Sequence, residues 1–180
     1  MRKLFTLICC SLCYIISAQV LSCRDGLTKF TSEAPLELIK AQSDKTIGVL
    51  DCATRNVAFA IDIDTFEGFN SGLQKEHFRE NYMETEKYPR ATFKGKIIEE
   101  VDFNTDGTST IRAKGVFTVH GAAKERIINV KIVKTGNIVK VSSDFEVPLE
   151  DHNIKIPKVV NQKIASVILV EVQATLKPKS

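Results

Sequence analysis

The sequence predicts an all-β chain folded as one eight-stranded antiparallel barrel, with one or two short helices in its loops. Apolar and polar residues alternate with a period of two through most of the chain, in about eight successive runs joined mostly by short turns. One parity of those runs collects most of the large apolar side chains. A sheet with one buried face and no long crossover connections is suited to closing on itself. The 180 residues, 43% apolar and 26% charged, fit a single folded domain.

The first element is not part of the barrel. Met1, Arg2 and Lys3 precede an apolar run from Leu4 to Ile16, which ends at Ser17-Ala18-Gln19. This is the pattern of a secretory signal, too short to span a bilayer. Residues 1–18 are therefore expected to be a signal peptide cut after Ala18, with the barrel domain at 19–180 in the periplasm or secreted. The rival is a degenerate lipobox, Val20-Leu21-Ser22-Cys23, with a lipid anchor at Cys23. Loss of Arg2 and Lys3 leaves 23 basic against 22 acidic residues. That balance gives little counterion-release drive, so no nucleic-acid partner is expected.

Two cysteines remain outside the signal, Cys23 and Cys52. A strand at Leu27–Ser32 and another at Thr46–Leu50, joined across a loop near residues 33–44, would place Phe30 opposite Lys45 and Cys23 opposite Cys52. A disulfide and two separate thiols both remain open. A one-turn element is expected at Pro35–Ala41.

From Arg55 to Asp64, Val57, Phe59, Ile61 and Ile63 share one face. Helical spacing of Leu73, Glu76, His77 and Glu80 predicts a short helix within 72–82. Alternation resumes with Ala91, Phe93, Gly95 and Ile97, then with Ile111, Ala113, Gly115, Phe117 and Val119. A strand over 126–133 turns at Thr135-Gly136-Asn137 into one over 139–147, and a loop follows at Pro148–Pro157. The last strand, roughly Ile164–Leu176, is apolar on both faces in its first half, which suggests a covered outer side.

The inner face so defined holds Phe59, Ile61, Phe93, Ile97, Ile111, Phe117, Ile128, Val130, Ile132, Val141, Phe145, Val170 and Val172, with no charge among them. Gly95, Ala113, Gly115 and Ser143 fall on the same parity and are small. An eight-stranded barrel is just wide enough to be packed or to hold one ligand. If hollow, its cavity would favour an apolar chain by about 0.8 kcal/mol per buried methylene. The candidate ligand-binding residues are Phe59, Ile61, Phe93, Gly95, Ile97, Ile111, Ala113, Gly115, Phe117, Val130, Ile132, Val141, Ser143, Phe145 and Val170.

Three ordered stretches carry a resemblance: His77-Phe78-Arg79-Glu80-Asn81-Tyr82-Met83-Glu84, Tyr88-Pro89-Arg90-Ala91-Thr92-Phe93-Lys94-Gly95, and Gly115-Val116-Phe117-Thr118-Val119-His120-Gly121. In order and spacing the chain resembles the YceI-like family of exported proteins from about Leu27 to Leu176. The resemblance implies a lipocalin-like periplasmic barrel whose elongated tunnel holds a polyisoprenoid or other long-chain lipid. Two departures are Ala122-Ala123 after His120-Gly121, where Val-Thr is usual, and the cysteines Cys23 and Cys52.

Asp102-Phe103-Asn104-Thr105-Asp106-Gly107 matches half of a calcium loop, but Ala113 stands where a bidentate Glu is required, so a hairpin turn is expected. His77, His120 and His152 lie far apart in sequence and are read as separate polar contacts, with His120-Gly121 shaping a tight turn and His77 at the barrel rim. Lys155, Lys158 and Lys163 are solvated loop charges or contacts for an anionic head at the mouth. Glu99, Glu100 and Asp102 form a solvated acidic patch. There is no Gly-x-Ser-x-Gly elbow, His-Glu-x-x-His helix or phosphate-cradling loop. Neither catalysis nor a metal or cofactor is expected. The expected partner is an isoprenoid or fatty-acyl-type lipid, with peripheral membrane contact and a monomeric or homodimeric state both open. The alternative is an envelope stress or protein-interaction module with a largely filled barrel.

Overall fold

A computed structural model describes residues 19–178, so the expected signal at 1–18 lies outside the described residues. The strands are β1 (Val20–Glu33), β2 (Leu38–Asp51), β3 (Asn56–Asp62), β4 (Arg90–Ile97), β5 (Gly107–Val119), β6 (Ala122–Thr135), β7 (Ile138–Pro148) and β8 (Val167–Pro178). Each pairs antiparallel with its sequence neighbour, and β8 pairs with β1 to close the barrel. The expected eight-stranded architecture is the one observed. The helix α1 (Gly72–His77) is capped by Ser71, whose Oγ accepts from the Gln74 N–H at 3.2 Å, and it runs on into a π turn at Phe78–Tyr82.

The first hairpin differs from expectation. Ala34 and Glu37 bond reciprocally through their backbones, so the chain reverses over Pro35-Leu36 and β2 begins at Leu38, with no one-turn element. Phe30 lies opposite Ala41, not Lys45, and Cys23 opposite Gly48, not Cys52. Both thiols are free. The four-residue shift is even, so every side chain keeps its face. Small inward residues, Ala41 and Ser43, between exposed Lys40, Gln42 and Asp44 made the start of β2 read as loop. The outer face of β8 is also bare, since Val167 and Leu169 are exposed.

Antiparallel order sends alternate loops to opposite ends. One end collects the 52–55, 98–106 and 136–137 connections and is sealed. Leu21, Leu50, Val139 and Leu176 are at most 1% exposed there, packed with Ile97, Ile111 and Ile132, and the loop residue Phe103 caps them. The other end collects the Pro35-Leu36 turn, the 63–89 connection with α1, the His120-Gly121 turn and the 149–166 connection. His120 and Gly121 both have positive φ, +51° and +70°, as a two-residue hairpin requires. Leu50→Ala should destabilise the fold by about 2–5 kcal/mol, seen as a lower urea midpoint with unchanged slope.

Candidate functional site: a hollow barrel with one mouth

Between the sealed end and the loops lies a cavity of about 610 Å³, within the roughly 300–1,000 Å³ usual for small-molecule sites. The barrel is therefore hollow, and the filled core weighed from the sequence is not realised. Inward-facing Phe59, Phe93, Val130, Phe145 and Val170 are half-buried because their inner surfaces border open space. The cavity runs from Leu50, Ile97, Ile111, Ile132 and Leu176 at the sealed end to Glu37, Ser71, Leu73, His77 and Lys163 at the mouth.

Deep in the cavity the polar side chains are largely occupied within the wall. Thr28 and Thr46 hydroxyls pair at 2.6 Å and Ser143 Oγ donates to the Asn129 carbonyl at 2.7 Å, while nearer the mouth Ser32 Oγ accepts from the Ala165 N–H at 2.9 Å. Among the described residues, the charged ones on the lining are Glu37 and Lys163, both at the mouth. Glu37 Oε1 accepts from Gln74 Nε2 at 2.8 Å. The lumen therefore offers an entering molecule shape and apolar surface with few directional partners. No metal-binding group of His, Cys, Asp and Glu forms among the described residues.

Thirteen of the fifteen candidate ligand-binding residues line the cavity; Gly95 and Gly115 do not. These two face each other across β4 and β5. A Cβ on Gly95 would stand 2.4 Å from Lys114 O, and one on Gly115 2.4 Å from Lys94 O and 2.8 Å from Phe93 Cζ. Their smallness serves a close approach of two backbones beneath the Phe93 ring, and leaves no space for a ligand. Ala113 and Ser143 do face the lumen, although the Ser143 hydroxyl is used by the wall.

Sequence periodicity missed Gly48 and the mouth. Gly48 faces Phe59 across β2 and β3, and a Cβ there would lie 2.4 Å from Phe59 Cε1. The bare glycine lets the ring lie against the wall. At the mouth, Phe78 stacks on Phe30 at 5.2 Å, and Phe66 and Phe69 join them. This cluster seats the helical connection on the barrel rim. The Phe66-x-x-Phe69 pair within a polar loop was the available signal. His77 is exposed on the lining at this rim.

The other two histidines meet. His120 Nδ1 donates to the His152 carbonyl at 3.0 Å, and His120 Nε2 faces Glu84 Oε2 at 2.9 Å. The Tyr88 ring packs edge-on against His120, 4.7 Å away, and over Gly121. His152 is fully buried; its Nδ1 donates to the Ala122 carbonyl at 3.0 Å, and its Nε2 has no hydrogen-bond partner among the described residues. Its ring meets Phe117 edge-on at 5.3 Å. The stretches at 77–84, 88–95 and 115–121 thus converge on a latch joining three loops of the open end. The Asp102 carboxylate is taken up locally by Asn104 and Thr105, and Glu99 pairs with Arg112.

A closed antiparallel barrel with one sealed end and an apolar lumen opening at the other is a lipocalin-like ligand-cavity architecture. Within that class, the YceI-like domain family matches residues 27–176, and the chain belongs to that family. Three solved structures share the fold. A polyisoprenoid-binding domain from Saccharophagus degradans, implicated in plant cell wall breakdown, superposes with a TM-score of 0.76 at 13% identity, covering 90% of this chain and 99% of that one. BcnA from Burkholderia cenocepacia gives 0.69 at 14% identity, over 84% and 95%. The YceI protein of Campylobacter jejuni gives 0.61 at 14% identity, over 78% and 85%. Among curated proteins none matches the sequence significantly.

Ala113→Leu should lower uptake of a fluorescent long-chain fatty acid by about tenfold, because two or so displaced methylenes at about 0.8 kcal/mol each correspond to that factor. Its melting temperature should stay near wild type. Gly48→Ala should push Phe59 into the lumen and reduce uptake likewise, whereas Gly115→Leu should act on stability, since backbone blocks its side chain.

Burial, with Arg126 nearby, holds the His152 pKa below its ordinary value and outweighs the Ala122 hydrogen bond and Asp151. The unfolded chain therefore takes up this proton first. Stability is full above the unfolded-state value of about 6.5 and is lost as pH falls from there through the depressed folded value. Urea midpoints of the wild type should drop across that window, and His152→Gln should flatten the drop.

Proposed function

We propose that this protein is an exported carrier that sequesters or transports a polyisoprenoid or another long-chain lipid in its barrel cavity, without catalysing a reaction. The observation that carries this is the lumen itself: about 610 Å³, walled by half-buried phenylalanines and aliphatic side chains, with most of its deep polar atoms bonded into the wall. Each methylene moved from water into such a space contributes about 0.8 kcal/mol, so affinity grows with chain length until the sealed end is reached. A solved relative of the same fold is a polyisoprenoid-binding domain, which supports the same ligand class.

Export follows from the amino-terminal pattern, and maturation after Ala18 fits the barrel better than lipid attachment at Cys23. Cleavage before Cys23 would remove Leu21, which is fully buried at the sealed end and lies opposite Leu50. Cys23 itself is buried within β1, where burial pushes its thiol pKa up.

The test is mass spectrometry of an organic extract of protein expressed with its own signal and purified from the soluble exported fraction without detergent. A near-stoichiometric isoprenoid or long-chain species is expected. A clean extract from folded protein, repeated after incubation with a host lipid extract, would defeat the carrier reading.

A further inference from the structure

The open end carries more apolar surface than its fold requires. Val159 is 90% exposed on a single 3-10 turn, Leu36 is 66% exposed at the tip of the first hairpin, and Leu73 is 60% exposed on α1. The three come from different loops, yet hydrogen bonds tie those loops around one opening. Leu36 N donates to Gln162 O at 2.9 Å, Gln74 Nε2 to Glu37 Oε1 at 2.8 Å, and Asn70 Nδ2 to Leu38 O at 3.1 Å. On the adjoining outer wall Leu38, Val167 and Leu169 are also exposed. Isolated exposed apolar residues are ordinary, but a collar of them around the entrance to an apolar cavity marks an interaction surface.

Charge says what the surface fits. From His152 to Val170 the chain carries Lys155, Lys158 and Lys163 and no acidic residue. All three lysines are exposed, and none is in an ion pair among the described residues. Val159 follows Lys158 directly on the same 3-10 turn. Apolar side chains that reach below headgroup level, flanked by amines at phosphate level, suit an anionic bilayer.

We propose that this collar docks the mouth onto an anionic lipid bilayer, so that the passenger moves between the acyl layer and the cavity without crossing water. The proposal rests on the carrier reading. It adds the surface, the orientation and the partner: the sealed end points away from the membrane, and α1 and the 149–166 connection lie against it.

Flotation with phosphatidylcholine vesicles, with and without phosphatidylglycerol, tests this on the soluble exported protein, all variants sharing one amino terminus. The wild type should float with phosphatidylglycerol vesicles and lose binding as salt rises. Leu36→Asp with Val159→Asp should bind at least tenfold more weakly. Lys155→Glu with Lys158→Glu should lose most of the salt-dependent part, since each lysine near an anionic surface is worth about fivefold in binding. Loading of the Leu36→Asp, Val159→Asp protein from a detergent-dispersed fluorescent fatty acid should match wild type, because neither residue lines the cavity.

A wild type that loads fatty acid yet ignores anionic vesicles at low salt would overturn the docking surface and leave the carrier reading standing. Equal vesicle binding by wild type and the two aspartate substitutions would overturn the collar. Self-association abolished by Val159→Asp, without vesicle binding, would assign the surface to a second copy instead. Vesicle binding with no fatty acid taken up would sink the carrier reading and the transfer role with it.

Discussion

The seam where β1 meets β8 creates the interior on which every other property depends. Leu27 to Thr31 lie opposite Gln173 to Leu169, and the ladder resumes at Ser22 and Leu21 against Lys177 and Pro178. The register breaks between Ser22 and Leu27, where Gly26 lies close to Thr46 and Ala174 and no larger residue fits without displacement. With the seam closed, eight amphipathic strands share one inside. With it open, both hydrophobic clusters would face water and two strand edges would be unpaired.

Closure makes an inside but does not decide how much of it is filled. At one end aliphatic side chains of β1, β2, β7 and β8 meet, and Phe103 from a loop completes the packing. Above that packing the walls are lined by aromatic rings that lie along the sheet. Phe59 rests over Gly48, and Phe93 over Gly115. Rings held flat by bare glycines leave the axis open, whereas the same rings standing upright would cross it. The cavity is therefore a consequence of a few glycine–phenylalanine pairings as much as of the barrel's strand number.

The mouth is built from the least regular parts of the chain, and the family motifs lie mostly there. Glu84, Tyr88, His120 and His152 do not reach into the lumen; they bind the loops to one another. His152 contributes an edge-on contact to Phe117, which does line the lumen, so latch and cavity share a wall. The positive φ at Glu84, His120 and Asn153 places three strained backbone positions within this latch and its flanks.

Strand parity was legible because alternation with a period of two survives any even slip in register. The sequence alone therefore determined that this chain is an eight-stranded barrel and which parity of its strands faces inward, an apolar face whose charges, Arg126 and Lys134 on β6, stand only towards the ends of the strand. It did not determine the pairing of β1 with β2, since nothing local distinguishes Phe30 opposite Lys45 from Phe30 opposite Ala41 once the turn residues are misjudged. Nor did it determine the role of Gly95 and Gly115. A missing side chain reads as empty space in one dimension, but in the folded sheet that space is taken by the neighbouring backbone and the Phe93 ring. The bore, the sealed end and the collar at the mouth were decided only by tertiary structure, because each depends on side chains from strands and loops that are distant in sequence and meet only when the barrel closes.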